Sequence, residues 1–144
     1  MAQRIVPMIA YEDAGAAADW LCEAFGFAER KDQRYTDDQG VVGHAELELG
    51  GESVMLATPN RDYQSPARHR ESCDAARRWL DNPWVIDGVF VQVDDVDAHH
   101  THAVASGATV IRPPEEPGVG FRIYTAEDLE GHRWMFGEPL HATD

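Results

Sequence analysis

The sequence predicts an α+β fold made of two tandem βαβββ modules, and two observations lead to this prediction. The first is a repeated strand-to-helix pattern. Residues 6–11 and 89–93 are apolar runs, and each leads through acidic residues into a helix-like stretch, AGAAADWLCEAFGF or VDAHHTHAVASGA. Asp13 and Asp95, the acids beside the two predicted helices, are 82 residues apart. A repeat at such a distance indicates an internal duplication.

The second observation is a repeated pattern in a later strand of each half. The segments GESVMLATP and GHRWMFGEP place glycine, methionine and proline at the same spacing, with an offset of 80 residues at all three positions. The matched pairs are Gly51 with Gly131, Met55 with Met135, and Pro59 with Pro139. Each half is therefore predicted to contain a strand, a helix and about three further strands.

Local patterns support the individual elements. Acidic residues at the start of each predicted helix complement its dipole, and a glycine ends each helix, at Gly26 and Gly107. Glycines at 50–51 and 131 predict hairpin turns. The segment HAELELGG alternates as a half-buried strand does. One face of that strand carries Ala45, Leu47 and Leu49, and the other carries His44, Glu46 and Glu48.

A connecting segment separates the two modules. The predicted boundaries are 1–59 for the first module, 60–87 for the connection and 88–144 for the second module, within one structural domain. Within the connection, SPARHRESCDAARRWL has a helical composition, with Ser65 as its N-cap and Pro66 as its first residue. Residues 60–87 contain five arginines and five acids, so the net negative charge lies in the two modules.

Composition and charge restrict the function. The chain has 144 residues, 43% of them hydrophobic, which is typical of one globular domain. Twelve Lys+Arg against 26 Asp+Glu give a net charge of −14, which disfavours nucleic acid as a partner. No apolar run reaches the roughly 20 residues that span a membrane, and no signal-peptide pattern is evident, so a cytoplasmic location is predicted. Cys22 and Cys73 lack metal-site spacing and are expected to be reduced thiols.

The chain resembles a known superfamily over most of its length. VDDVDAHHTHAVASGATVIRPPEEP, followed by FRIYTAEDLEGHRWMFGEP, is similar to the C-terminal half of vicinal oxygen chelate proteins, and the first half is similar through AFGF and GHAELELGGESVML. This superfamily includes glyoxalase I, extradiol dioxygenases and bleomycin-resistance proteins. The resemblance implies the glyoxalase/bleomycin-resistance fold, in which two modules form a curved mixed sheet around a cleft, and it implies a homodimer.

The resemblance also implies where a metal would be bound. Metal-dependent members take ligands from the first and fourth strands of each half, and the fourth-strand positions fall on Met55 and Met135. The first-strand positions fall near Val6 and Gly88, and a shift of two residues offers only Met8 and Phe90. None of these is a usual ligand for a hard or borderline divalent ion, so neither metal nor cofactor is expected. His99, His100 and His102 have a spacing that can bind metal, but they are interpreted as a solvated helix face.

Strand alternation then predicts which side chains line the implied cleft. Arg133 is also placed on this face, and Trp134 and Phe136 are placed on the opposite one, under the helices. Methionines suit aromatic or variable ligands, although ordinary core packing explains them equally well. The predicted ligand-binding residues are Met8, His44, Met55, Phe90, Gln92, Arg122, Tyr124 and Met135.

Three side chains are candidates for acid–base chemistry, although no catalytic residue is assigned. An imidazole can act as acid or base near neutral pH, and His44 shares a strand face with Glu46. Tyr124 is the third candidate, since the offset of 80 makes it the counterpart of His44. The alternatives are a surface role for His44, and pairing of Arg122 and Tyr124 with Glu127 or Asp128.

These observations lead to one functional hypothesis and two alternatives. The first is a metal-independent protein that binds and sequesters a small molecule, antibiotic-like and cationic or aromatic, with a role in antibiotic resistance. The second is a metal-independent enzyme of the lyase or isomerase type that uses His44 or Tyr124 as acid or base. The third, less favoured, is a metal-dependent glyoxalase or dioxygenase. Whether the chain is an enzyme, and which ligand it binds, stay open at this point.

Overall fold

The computed structural model describes residues 3–82 and 87–140 of the chain. Contacts divide the chain into two compact units, Met1–Ser65 and Pro66–Asp144. Residues 60–65 of the predicted connection thus belong to the first unit and residues 66–82 to the second, while residues 83–86 lie outside the described part. Within the described ranges, no helix is long and apolar enough to cross a membrane.

The first unit is a mixed sheet covered on one side by a helix. Its strands are β1 (Met8–Ala10), β2 (Ala28–Glu29), β3 (Tyr35–Thr36), β4 (Val42–Leu49) and β5 (Glu52–Ala57), with helix α1 (Ala14–Phe25) after β1. The order in the sheet is β1-β5-β4-β2, and β3 also pairs with β4. The module therefore has four short strands after its helix instead of the predicted three, because two separate two-residue strands pair along β4.

Helix α1 begins and ends as its sequence predicts. The Asp13 carboxylate accepts a hydrogen bond from the Ala16 amide at 3.0 Å, and Gly26 ends the helix with a left-handed φ of 83°. The helix buries Leu21 and Phe25. On β4, Ala45 and Leu47 are fully buried and share one face, as the alternation of that strand predicts.

The second unit repeats this arrangement. Its strands are β6 (Gly88–Gln92), β7 (Thr109–Glu115), β8 (Phe121–Glu127) and β9 (Arg133–Pro139), in the order β6-β9-β8-β7. Helix α4 (Val96–Ala105) starts at Asp95, whose carboxylate accepts from the Ala98 amide at 3.0 Å. In both units the first strand pairs in parallel with the last one. The predicted α+β fold with duplicated modules is therefore confirmed.

The predicted connecting helix is wrong as a single element. Its start is correct, since α2 (Pro66–Ser72) begins at the proline, but the chain leaves the helical conformation at Cys73. Cys73 has φ −138° and ψ 110°, and a second short helix, α3 (Asp74–Arg78), follows it. Helical composition alone did not reveal this break, because Cys73 carries no strong signal for a helix end.

The β8–β9 turn is held by one buried carboxylate. Asp128 Oδ2 accepts a hydrogen bond from the indole Nε1 of fully buried Trp134 at 3.0 Å. Its other oxygen accepts from the backbone amides of Glu130 and His132, both at 3.0 Å. The same side chain thus shapes the turn and provides an acceptor for the indole N–H of the buried Trp134 side chain.

The Asp128→Ala variant is expected to lose about 2–4 kcal/mol of unfolding free energy, because it removes the carboxylate that accepts hydrogen bonds from the buried indole N–H and from two turn amides. Urea denaturation followed by tryptophan fluorescence measures the loss. Asp38→Ala removes an exposed acid from another turn and is expected to stay within about 0.5 kcal/mol of the wild type. Equal effects of the two variants would contradict this role of Asp128.

Candidate functional site

Each sheet has one face packed on its helix and one face directed away from it, which we call the distal face. In the first unit Met8 is the Cα partner of Met55 in the parallel β1–β5 pair, and Met8 is 75% exposed. Glu46 is the Cα partner of Met55 on the other side. His44 lies two residues before Glu46 on the same strand, so it shares the distal face with both. Four of the predicted site residues of this unit therefore lie on one face.

The carboxylates of the first distal face are engaged by one arginine. Arg30 donates from Nη1 to Glu46 Oε1 at 2.9 Å and from Nε to Glu48 Oε2 at 2.9 Å. The hydrogen bond to Glu48 is the main cause that raises the pKa of Arg30 above its usual value. Glu46 thus forms an ion pair with Arg30, whereas the sequence predicted it as an acid–base partner of His44. His44 is half-buried, and its role in a site stays a prediction.

Part of the distal face of the second unit is apolar and aromatic. Phe90 on β6 is the Cα partner of Met135 on β9, as Met8 is of Met55. The Phe90 ring also packs edge-on against Phe121, with ring centroids 5.3 Å apart, and stays 44% exposed. Gln92 lies at the end of the same strand, opposite Gly137. Phe121 and Gly137 were not among the predicted site residues, although alternation from Met135 places Gly137 on this face.

The prediction that Tyr124 lines the site is wrong. Tyr124 is the Cα partner of Phe136 and lies on the α4 side of the sheet, stacked on Phe136 at 5.3 Å and fully buried. Its hydroxyl lies 2.5 Å from His99 Nδ1 on α4. Burial raises the pKa of the Tyr124 hydroxyl well above its usual value, so this phenol stays protonated.

A one-residue difference between the two hairpins explains this error. Met55 lies nine residues after its partner Glu46, whereas Met135 lies ten residues after its partner Thr125. The offset along β4 and β8 is therefore 79, not the 80 that holds for β5 and β9. A shift of one residue moves every side chain of a strand to the other face. The structural counterpart of His44 is Ile123, and Tyr124 corresponds to Ala45.

Arg122 is also on the α4 side, so its predicted place in the site is wrong for the same reason. Its guanidinium pairs with Asp97 on α4, with Nη2 3.0 Å from Oδ1 and Nε 3.1 Å from Oδ2. The hydrogen bonds from Arg122 lower the pKa of Asp97 below its usual value. The alternative pairings are wrong too, since Glu127 pairs with Arg70 and the Asp128 carboxylate accepts from Trp134 and the turn amides.

The histidines of α4 are not a simple solvated face. His99 packs against Phe136, with ring centroids 4.2 Å apart, and His100 packs edge-on to Tyr124 at 5.1 Å. Both are half-buried, whereas His102 is exposed. Across residues 3–82 and 87–140, no group of three or more His, Cys, Asp or Glu side chains is arranged to hold a metal ion.

Arg133 lies two residues before Met135 on β9, so alternation places it on the distal face, where it is buried. Its Nη1 donates to the Asn82 carbonyl at 3.0 Å, and its Nε lies 3.9 Å from Glu127 Oε2. Glu127 is itself held by two hydrogen bonds from Arg70, of 2.8 and 3.0 Å. Burial is the main cause that lowers the pKa of Arg133, while Glu127 opposes it. This buried cluster fixes residues 66–82 to the β8–β9 end of the second unit.

The residues at the implied metal positions do not fit a divalent ion. The pairs that meet on the distal faces are Met8 with Met55 and Phe90 with Met135. A thioether is a soft, weak donor and a phenyl ring is not a donor at all, whereas the metals of such sites prefer imidazole and carboxylate. The same positions are well suited to contact an apolar organic molecule.

Comparison with known proteins agrees with this architecture. A family model described as Glyoxalase/Bleomycin resistance protein/Dioxygenase superfamily matches residues 4–136. An uncharacterized protein of Mycobacterium bovis is 30% identical over 138 residues, which cover 93% of this chain and 82% of the relative. The crystal structure of TioX from Micromonospora sp. ML1 is similar with a TM-score of 0.67 and 32% identity, covering 99% of this chain and all of TioX.

A more distant structure has the same fold. TnmS3, an antibiotic binding protein from Streptomyces sp. CB03234, is similar with a TM-score of 0.59 and 19% identity. The similarity covers 96% of this chain and 98% of TnmS3. At this level of identity the likeness concerns the fold alone.

Replacing Arg122 by methionine is expected to raise the pKa of Asp97 from its lowered value back toward its ordinary one, because the hydrogen bonds that favour the carboxylate are lost. Carbon-13 NMR titration of the carboxyl groups measures the change. Because the pKa of Asp97 is lower in the folded protein, the Asp97–Arg122 pair stabilises the fold at pH values above the ordinary pKa of Asp97. This stabilisation is lost as the pH falls through the pKa that Asp97 has in the folded protein. Arg61→Met serves as control, and an unchanged Asp97 titration in Arg122→Met would contradict the assignment.

Proposed function

Since the chain belongs to the Glyoxalase/Bleomycin resistance protein/Dioxygenase superfamily, we propose a function for it within that superfamily. The protein binds an organic small molecule without a metal ion and sequesters it. The ligand is antibiotic-like and carries a cationic or aromatic group. Assembly as a homodimer and a cytoplasmic location are part of the same proposal, and they rest on the family resemblance and on the sequence.

One observation carries this proposal. One matched pair of positions in the first and last strands of each module lies on the distal face. It holds Met8 with Met55 in one unit and Phe90 with Met135 in the other. Met8 and Phe90 are 75% and 44% exposed. Exposed apolar side chains that recur at equivalent places of a duplicated fold indicate a contact surface.

The chemistry of these four side chains favours ligand binding over metal-dependent catalysis. Met and Phe have no oxygen or nitrogen with which to bind a divalent ion. They offer polarisable, adaptable contacts to rings and alkyl groups, and methionine is frequent at surfaces that bind varied partners. A metal-dependent glyoxalase or dioxygenase would need ligands at these places.

The charge of the chain supports a cationic ligand. At −14 the protein attracts positive charge, although part of the acidic side chains is already paired with arginine. TnmS3, which is described as an antibiotic binding protein, has the same fold. The similarity to TnmS3 supports an antibiotic-like ligand. The negative charge of the chain supports a cationic ligand, and its exposed apolar side chains support an aromatic one.

We expect at least one cationic or aromatic antibiotic to raise the melting temperature in a thermal-shift screen of glycopeptides, polyketides and aromatic compounds. Saturation at 100 times Kd stabilises a fold by about 2.7 kcal/mol, which is several degrees for a chain of this size. Met135→Gln should weaken the binding of that compound roughly tenfold, because it places an amide against apolar ligand surface.

The matched control for that variant is Val104→Gln, which changes an exposed apolar side chain on α4, away from the distal face. It should leave Kd within about twofold of the wild type, as expected for surface substitutions. No stabilisation by any compound of the screen would remove the support for a binding function. Protein purified without a histidine tag that retains one equivalent of iron, zinc or nickel would refute the metal-independent site.

A metal-independent enzyme is the second candidate, favoured by the position of His44 on the same face as Met55. Replacing His44 by alanine separates the two functions. For a binding protein we expect at most a loss of affinity, whereas removal of a general acid or base lowers turnover by about a hundredfold or more. The measurement is product formation from the compound identified in the thermal screen. Turnover in the wild type that His44→Ala abolishes would establish the enzyme and overturn sequestration.

A further inference from the structure

We propose that Gly137 determines the ligand specificity of the second distal face. The missing side chain at position 137 allows the Phe90 ring to lie across β9 against Phe121, and the two rings together bind a planar aromatic group. We call Phe90, Phe121 and Gly137 the aromatic shelf. This inference rests on the proposed function, since it names the chemical class of the ligand and the residues that select it.

The space above Gly137 is occupied by the two rings. A Cβ atom at this position would lie 2.6 Å from Phe90 Cζ, 3.0 Å from Phe90 Cε2 and 3.3 Å from Phe121 Cδ1. Gly137 is not among the glycines with positive φ, so backbone conformation does not require glycine here. What requires it is the approach of the Phe90 ring to the backbone of β9.

The two rings form an apolar corner with a free surface. Their planes meet at 80° in a T-shaped contact, with centroids 5.3 Å apart, and Phe90 keeps 44% of its surface exposed. Aromatic rings prefer such edge-to-face or offset-stacked neighbours and gain about 0.5–1.5 kcal/mol per pair beyond area burial. A planar ligand ring can therefore stack on one phenylalanine while it meets the edge of the other.

The corresponding place in the first unit has a different chemistry. Ala57 occupies the position of Gly137, because it pairs with Ala10 as Gly137 pairs with Gln92. Met8 occupies the position of Phe90. The duplication thus offers a flexible thioether beside a methyl group in one unit and a ring seated on a glycine in the other. Only the second arrangement holds a flat, rigid surface.

Gln92 adds one polar group to the shelf. It lies on the same face as Phe90, two residues further along β6, directly opposite Gly137. A primary amide can both donate and accept hydrogen bonds. The ligand class that matches the shelf is a planar heteroaromatic ring, whose face stacks on phenylalanine and whose heteroatoms or amino substituents reach the amide.

Proflavine, a planar, cationic and fluorescent acridine, is a suitable probe. We expect the wild type to bind it, with Kd measured by fluorescence titration, and Gly137→Ala to weaken it at least tenfold because the Phe90 ring is displaced. Gly43→Ala is the matched control: Gly43 also lies in a strand, and a Cβ there meets Tyr35 at an ordinary 3.5 Å. It should change Kd less than twofold.

A double-mutant cycle tests whether Gly137 acts through Phe90. Phe90→Ala alone should weaken proflavine at least tenfold, and adding Gly137→Ala to it should cost less than a further twofold, since the ring that the new Cβ displaces is gone. Phe121→Leu removes the second ring and leaves Gly137 unchanged. Its Kd for proflavine therefore tests the aromatic shelf independently of any effect of Gly137→Ala on folding. Melting temperatures identify variants that fail to fold.

Each remaining outcome overturns the inference. These outcomes are no proflavine binding by the wild type, a Gly137→Ala Kd within twofold of the wild type, independent losses in the cycle, or full affinity in Phe121→Leu. The proposed function is judged separately by the antibiotic screen. If the screen yields a non-aromatic ligand whose Kd is unchanged by Gly137→Ala, the protein is a binding protein and the shelf is not its specificity element.

Discussion

The parallel pairing of the first and last strands in each module is the constraint on which the rest of this structure depends. Because β1 runs beside β5, and β6 beside β9, in corresponding register, Met8 meets Met55 and Phe90 meets Met135. The helix that follows the first strand covers one face of the sheet and buries the alternate residues, such as Leu56 and Phe136. The other set of residues lies on the distal face.

The sequence indicates which strands pair in this way, so the strands that carry Met55 and Met135 could be predicted from it. The recurrence of Gly, Met and Pro at one spacing identifies β5 and β9, and alternation then decides which residues share a face with methionine. The caps of α1 and α4 follow from Asp13 and Asp95 in the same way. Helix caps depend on residues close in sequence, and strand faces depend on the two-residue alternation of a strand. Both can be recognised without a structure.

The features that were not predictable depend on pairing between distant segments. The side of the sheet on which Tyr124 lies depends on the register of β8 against β9, and the composition of the turn does not reveal that register. The burial of Arg133 depends on carbonyl groups of residues 79–82 and on Glu127, more than forty residues apart in the chain. In a chain with few basic residues, half-buried Arg70 and buried Arg133 both lie beside the buried acid Glu127, where screening by solvent is reduced.

The extra residue in the β8–β9 hairpin has a consequence for how the two halves of such a duplicated protein diverge. Insertion or deletion of one turn residue exchanges the entire inner and outer sets of a strand, which would otherwise take a substitution at every position. In the first module the exchange leaves His44 and Glu46 on the distal face, and in the second it leaves Ile123 and Thr125 there. A single event in a surface turn therefore suffices to change which residues of one module lie on its distal face, and a duplicated scaffold can lose its internal symmetry without losing its fold.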